Sequence, residues 1–235
     1  MDNEFQIDSH HFFKHNESND RLGFIRKVYG ILTMQLLLTS FFVLIGVLSE
    51  EYRVFLLVNF WVIILCALFS IITMIMLVCC KSMARRVPTN YILLTVFTLC
   101  EAVMVSSVTL AYDPVTILIA ALLTFGLTFV LTAYACFTKR DLTMKMGIAI
   151  IFLFALSMFA ILFSILYHSR AVEIAVCTVF VIIYGVYLLI DTQLIVGKGR
   201  FGLTMDDYII GALMIYVDMI GLFLYLLRLL GAIRR

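Results

Sequence analysis

Seven apolar runs, each close to twenty residues or longer, follow one another along the chain at 28–48, 55–80, 91–111, 115–137, 146–167, 171–196 and 207–233. At 1.5 Å per residue, each is long enough to cross a hydrocarbon core of about 30 Å as a helix. Alternating strand patterning is absent, which excludes a β-barrel on pattern. The composition agrees: 64% of the 235 residues are apolar and only two are proline, whereas soluble domains average nearer half apolar. The expectation is an all-α polytopic membrane protein, with a short polar tail over 1–24 and a single membrane domain over 25–235. The net charge of +2 is small and confined to the gaps between runs, so nucleic-acid binding is excluded.

Orientation follows from the basic residues of the connectors. Lys14, Arg21, Arg26 and Lys27 flank the first run; Lys81, Arg85 and Arg86 follow the second; Lys139, Arg140 and Lys145 follow the fourth; Lys198 and Arg200 follow the sixth. The alternate connectors hold only Arg53 and Arg170. Twelve against two places the N-terminus in the cytosol and leaves the Asn16-Glu17-Ser18 sequon unglycosylated. The first run starts too late and runs too long for a cleavable signal, so it acts as a signal anchor. Seven crossings then put Arg234 and Arg235 on the opposite side, against the charge rule; a last segment that enters and returns is the other arrangement.

The tail carries His10, His11 and His15 among acids and is expected to be a solvated tail rather than a metal site. Cys66, Cys79, Cys80, Cys100, Cys136 and Cys177 lie within or at the ends of apolar runs with no metal-ligand spacing, so they read as packing residues. Cys79 and Cys80, beside Lys81 at a membrane edge, also fit reversible palmitoylation.

Three acids lie inside the runs. A carboxylate facing lipid at mid-membrane costs about 2.5–3.5 kcal/mol or more, so such groups face a bundle interior or a water-filled path. Asp191 lies about five residues, or ~8 Å, inside one end of the sixth run, and Asp218 about eleven residues, or ~16 Å, inside the adjoining end of the seventh. They meet if the intervening turn lets one helix shift by about a turn. Tyr184, Tyr187 and Asp191 share one helical face, as do Gly211, Ile215, Asp218, Leu222 and Tyr225. Glu101, about ten residues into the third run, adds a third acid at a depth like that of Asp218. Three acids without matching mid-membrane bases suggest a proton or cation site, against the plainer reading that each pairs with an arginine, a tyrosine or a backbone group. Two carboxyls in a low-dielectric interior cannot both ionise cheaply, so a shared pair titrates as a unit around one proton.

Phe24-Ile25-Arg26-Lys27-Val28-Tyr29, Arg86-Val87-Pro88-Thr89-Asn90-Tyr91, Phe97-Thr98-Leu99-Cys100-Glu101, Thr138-Lys139-Arg140-Asp141, Asp191-Thr192-Gln193 and Asp207-Tyr208-Ile209 through Tyr216-Val217-Asp218 occur in an order and spacing that resembles the transmembrane Bax inhibitor motif family. The likeness is nearest to its Lifeguard and Golgi anti-apoptotic branches and extends to Gly231. It implies a seven-helix bundle with the seventh helix central, a pH-sensitive calcium leak from intracellular stores, and suppression of cell death. It also implies a pH sensor at Asp191 and Asp218, which would be the calcium ligands, and an arginine latch onto the first aspartate from Arg85 or Arg86. No resident cofactor is implied; the partners are the bilayer, calcium and death-regulating membrane proteins of the Bcl-2 type, in the endoplasmic reticulum or Golgi rather than the plasma membrane. Two residues depart from the family pattern: Ile190 stands for a tyrosine before the first aspartate and Gly221 for an asparagine after the second.

A non-conducting scaffold for death-regulating proteins is the main alternative. An aspartyl intramembrane protease is remote, because Leu189-Ile190-Asp191 and Tyr216-Val217-Asp218 lack that class's Tyr-Asp and Gly-x-Gly-Asp signatures and no proline follows Pro114. The chain is therefore not expected to be an enzyme. A seven-span receptor is disfavoured by the acids in the last two runs and by connectors too short for a ligand cap.

Overall fold

The computed structural model describes residues 2–138, 146–167, 169–197 and 202–234, with side chains described from residue 19 onward except 146–148. The expectations for His10, His11, His15, Asn16, Lys139, Arg140, Lys145, Lys198, Arg200 and Arg235 fall outside the described side chains. Regular structure among the described residues is entirely helical: α1 (Asp2–Leu48), α2 (Glu50–Val58), α3 (Phe60–Cys79), α4 (Lys81–Arg85), α5 (Thr89–Thr109), α6 (Pro114–Phe137), α7 (Met146–Leu166), α8 (Arg170–Val196) and α9 (Tyr208–Arg234). Seven of these, α1, α3 and α5 to α9, are long and apolar enough to cross a membrane, as the seven runs require.

Local chemistry sets the ends. The second run divides at Asn59, whose side chain bonds the Phe55 carbonyl at 3.0 Å and whose backbone leaves helical angles, so the crossing starts at Phe60. Ser49 caps α2 through the Tyr52 N–H, Asp113 caps α6 ahead of Pro114, and Ser169 caps α8. Gly197 ends α8 in the left-handed region at φ 70°, with the Arg21 guanidinium packed where a Cβ would stand. The polar segment expected over 1–24 is helical from Asp2 onward and continuous with the first crossing, whose membrane-length part is Asn19–Leu48. No proline or glycine precedes Gly23 to stop it.

Polar contacts fix which helix ends share a face. Arg21, Arg85 and the α8–α9 connector lie together: Arg21 donates to the Leu194 and Leu203 carbonyls, each at 2.7 Å, and Arg85 holds Asp207. At the opposite face Arg234 donates to Asp113 at 3.3 Å and Thr116 at 2.6 Å, and Arg170 donates to the Ala232 and Ile233 carbonyls. Helix α9 therefore crosses without returning, and the C-terminal arginine conflict resolves into chemistry. Arg170 and Arg234 sit where the carbonyl end of α9 attracts positive charge.

Helix α9 is the centre of the bundle, with half of its apolar window buried against 39% for α5 and less for the others. It packs on α8, α1, α6 and α5. Lipid offers no hydrophobic drive for helix association, so close packing and interhelical hydrogen bonds hold the bundle. Tyr216 of α9, fully buried, shares a 2.8 Å bond with Thr39 of α1 and sets its ring edge-on to Phe97 of α5. Gln35 donates to Thr98 at 3.0 Å, and Ser106 to the Phe42 carbonyl at 2.9 Å. The Tyr29 phenol lies close to Thr132 and Thr192, which brings α1 beside α6 and α8.

Asp207 accepts from Arg85 Nε at 2.9 Å and Nη2 at 3.1 Å, and from the Thr204 hydroxyl at 2.5 Å. Burial pushes its carboxyl upward, but the Thr204 and Arg85 bonds outweigh it and hold the group below the usual carboxylate range. A depressed carboxylate contributes stability above its unfolded pKa of about 3.9 and loses it only as pH falls through the lower folded value. This clamp thus stays closed between pH 5 and 8. Arg85 is partly exposed, so Arg85→Ala should cost at the low end of the ~1.5–3 kcal/mol typical of hydrogen bonds to charged groups. Thermal melting of the purified protein should show that loss at pH 7 and leave it unchanged at pH 5.5; equal melting of mutant and wild type at pH 7 would remove the clamp from the fold's supports.

Candidate functional site

Asp191 lies five residues before Val196, the end of α8, and Asp218 ten residues after Tyr208, the start of α9. The register of this antiparallel pair follows from two glycines: a Cβ on Gly211 would stand 3.4 Å from Ile195, and one on Gly221 would stand 2.3 Å from the Tyr184 ring. Interpolating between these levels puts Asp218 about one turn, or ~5 Å, deeper than Asp191. Helical side chains lean toward their own N-terminus. In an antiparallel pair Asp191 therefore leans inward and Asp218 leans back toward it, and the two leans close the offset.

The two carboxyls stand close enough to share a hydrogen bond once one of them carries a proton. Ionised carboxylates only accept, so the bond requires a proton on one of them. Asp218 is 6% exposed and its Oδ2 is buried without a hydrogen-bond partner. Burying such an oxygen is costly, and the cost falls when a proton or a cation sits on the pair.

Tyr184 and Tyr187 lie within electrostatic reach of Asp218, and Tyr187 also of Asp191. On the deep side Tyr184 neighbours Tyr225 at 5.7 Å, and Tyr225 stacks on Phe180 at 4.3 Å, so aromatic rings wall off the pair from below. This explains the glycine at 221. The Tyr184 ring occupies the space that a side chain at that position would take. Ile190, the other departure, is buried beside the pair without a polar atom.

The remaining candidates lie apart from the pair. Glu101 accepts from the Ser70 hydroxyl of α3 at 2.5 Å, facing a neighbouring helix, and its charge acts on Tyr184 and Tyr216. Arg85 engages Asp207 and Thr204, and Arg86 is exposed; in this structure neither engages Asp191. Among the described residues no group of three His, Cys, Asp or Glu could hold a metal ion. The two carboxyls fall short of the six to eight oxygens calcium takes, so a calcium ion here would draw on water and backbone carbonyls.

Sequence reasoning missed two residues of this region. Arg21 entered only as a connector charge, yet it binds the carbonyls at the end of α8 and in the connector that joins the two aspartate helices. Asp207 entered as the start of the last run and within a family-like stretch but with no role, although an acid at a helix N-terminus behind Thr204 carries a capping signal. Gly221→Asn should displace the Tyr184 ring and destabilise the protein, with Tyr184→Ala restoring the melting temperature in the double mutant. Additive losses in that cycle would show that the ring and the glycine are not matched.

The family described as "Inhibitor of apoptosis-promoting Bax1" matches residues 21–235. Human protein lifeguard 3 is 32% identical over 90% of this chain and 69% of its own length. Mouse protein lifeguard 3 is 29% identical over 94% of this chain and 73% of its own, and mouse protein lifeguard 4 is 31% identical over 92% and 87%. The match takes in the seven crossings and both aspartates, and on it the chain belongs to the Bax1-inhibitor family, in its Lifeguard branch.

Proposed function

We propose that this protein is a pH-sensitive calcium leak of an intracellular membrane, endoplasmic reticulum or Golgi, that lowers stored calcium and suppresses cell death, with its N-terminus in the cytosol. The observation that carries this reading is the juxtaposition of Asp191 and Asp218 within the span, with one carboxyl oxygen of Asp218 buried and unpartnered. Three arginines are paired with other acids: Arg85 is on Asp207, Arg228 on Glu173 and Arg234 on Asp113. The pair is then neutralised by a proton or by a passing cation.

Without the shared proton, two charges about 4 Å apart repel by roughly 4 kcal/mol at an effective dielectric of 20. Separation of α8 from α9, or entry of a divalent cation, relieves that repulsion. Proton and calcium compete for the same oxygens, so calcium binding weakens as pH falls. Glu101 supplies a third carboxyl in the interior as a further station for a cation. Arg85, at the end of α4, and Arg86, the residue after it, are the two latch candidates toward Asp191. Membership in the Bax1-inhibitor family and likeness to lifeguard proteins support the anti-apoptotic role.

The test is calcium flux from liposomes holding the purified protein, measured across pH 5.5–8. Asp191→Asn and Asp218→Asn should each remove the pH dependence, and the double mutant should be no worse than the more severe single one, because the pair acts as a unit. Strictly additive effects would overturn the coupled gate. No flux from folded wild-type protein would favour the non-conducting scaffold.

A further inference from the structure

Helices α1 and α6 stand apart on one side of the bundle and leave a groove of about 470 Å³ whose floor is α9. Val47 and Leu36 mark its ends on α1, Pro114 and Phe125 its ends on α6, and Met219 and Phe223 lie on its floor. Each pair of end residues is eleven apart, or ~16 Å along a helix. That is half of a ~30 Å hydrocarbon core. Val47 and Pro114 lie at the Asp113 face and Leu36 and Phe125 near mid-span, so the groove runs from headgroup level to the midplane, the depth of one leaflet.

Its lining is almost wholly apolar, and two of its hydroxyls already have partners. Thr39 bonds the Gln35 carbonyl and Tyr216, and Thr124 bonds the Ala120 carbonyl. Ser40 adds a further hydroxyl on an exposed part of the α1 wall. At the mouth Arg234, its side chain 46% exposed, lies beside Asp113 and Thr116 at headgroup level. A long apolar slot one leaflet deep, open sideways to hydrocarbon and with a guanidinium at its mouth, matches a chain with an anionic group at its end.

We propose that this groove binds one acyl chain of a membrane phospholipid from the leaflet at the Asp113 face, with Arg234 toward its phosphate. The occupant braces the face of α9 that turns away from α8, beginning at Met219, the residue next to Asp218. This site stands independently of the calcium reading.

The test uses the full chain reconstituted in phosphatidylcholine nanodiscs, extracted into a mild detergent and weighed by native mass spectrometry. Wild type should retain about one phosphatidylcholine per chain, as a slot of this size accommodates. Ala121→Phe and Ser40→Phe, which fill the groove from opposite walls, should each lower that occupancy about tenfold, a change of ~1.4 kcal/mol. Leu122→Phe, on the lipid-facing side of α6, should leave it unchanged; melting curves identify any variant that fails to fold, and the other groove variant then decides. Wild type free of lipid, equal retention in the folded groove variants, or retention of cholesterol in place of phosphatidylcholine from mixed nanodiscs would overturn the proposal.

Discussion

Two carboxyls buried against each other within a membrane span are the constraint on which the rest of this structure depends. Neither can face lipid, and both cannot be charged at contact without a counter-ion. The fold meets this by placing Asp218 on the most enclosed helix, α9, and Asp191 on the helix that packs beside it. The antiparallel arrangement then supplies the contact, because each side chain leans along its own helix toward the other. Asp218 Oδ2 is left buried without a hydrogen-bond partner, beside a partly buried Asp191.

The surroundings hold that geometry from both ends. At the Arg85 face two arginines from different parts of the chain, Arg21 and Arg85, fix the connector between α8 and α9. On the deep side Tyr184 fills the space beside Gly221 and stands against Tyr225. The Arg85–Asp207 clamp is held below the usual carboxylate range, so the connector stays fixed across the neutral pH range in which the account has the aspartate pair exchange its proton. A change at the pair is then felt within the bundle rather than lost in a loosening turn.

Much of the fold was legible in the sequence because hydrocarbon imposes a length and forbids unpaired polar groups. The seven runs became seven crossings, and the rarity of acids inside them singled out Asp191, Asp218 and Glu101. What pattern could not supply was anything that depends on register or on the far end of a long side chain. The one-turn offset of the aspartates is closed by side-chain lean, the second run breaks at Asn59 through one local hydrogen bond, and Arg85 reaches Asp207 across more than a hundred residues. Arg21 looked like a topology charge because its partners are backbone carbonyls, which sequence does not distinguish. The glycine at 221 read only as a departure from the family pattern until the ring that needs the space was in place.

The central claim is that Asp191 and Asp218 share one proton. Infrared difference spectroscopy of the protein in lipid, stepped in pH, reads the protonated carboxyl stretch directly. The account predicts one carboxyl band that is lost as a single proton leaves on raising the pH, and whose pH dependence changes in Asp191→Asn and in Asp218→Asn alike. Two independent bands, each surviving loss of the other residue with its titration unmoved, would contradict it.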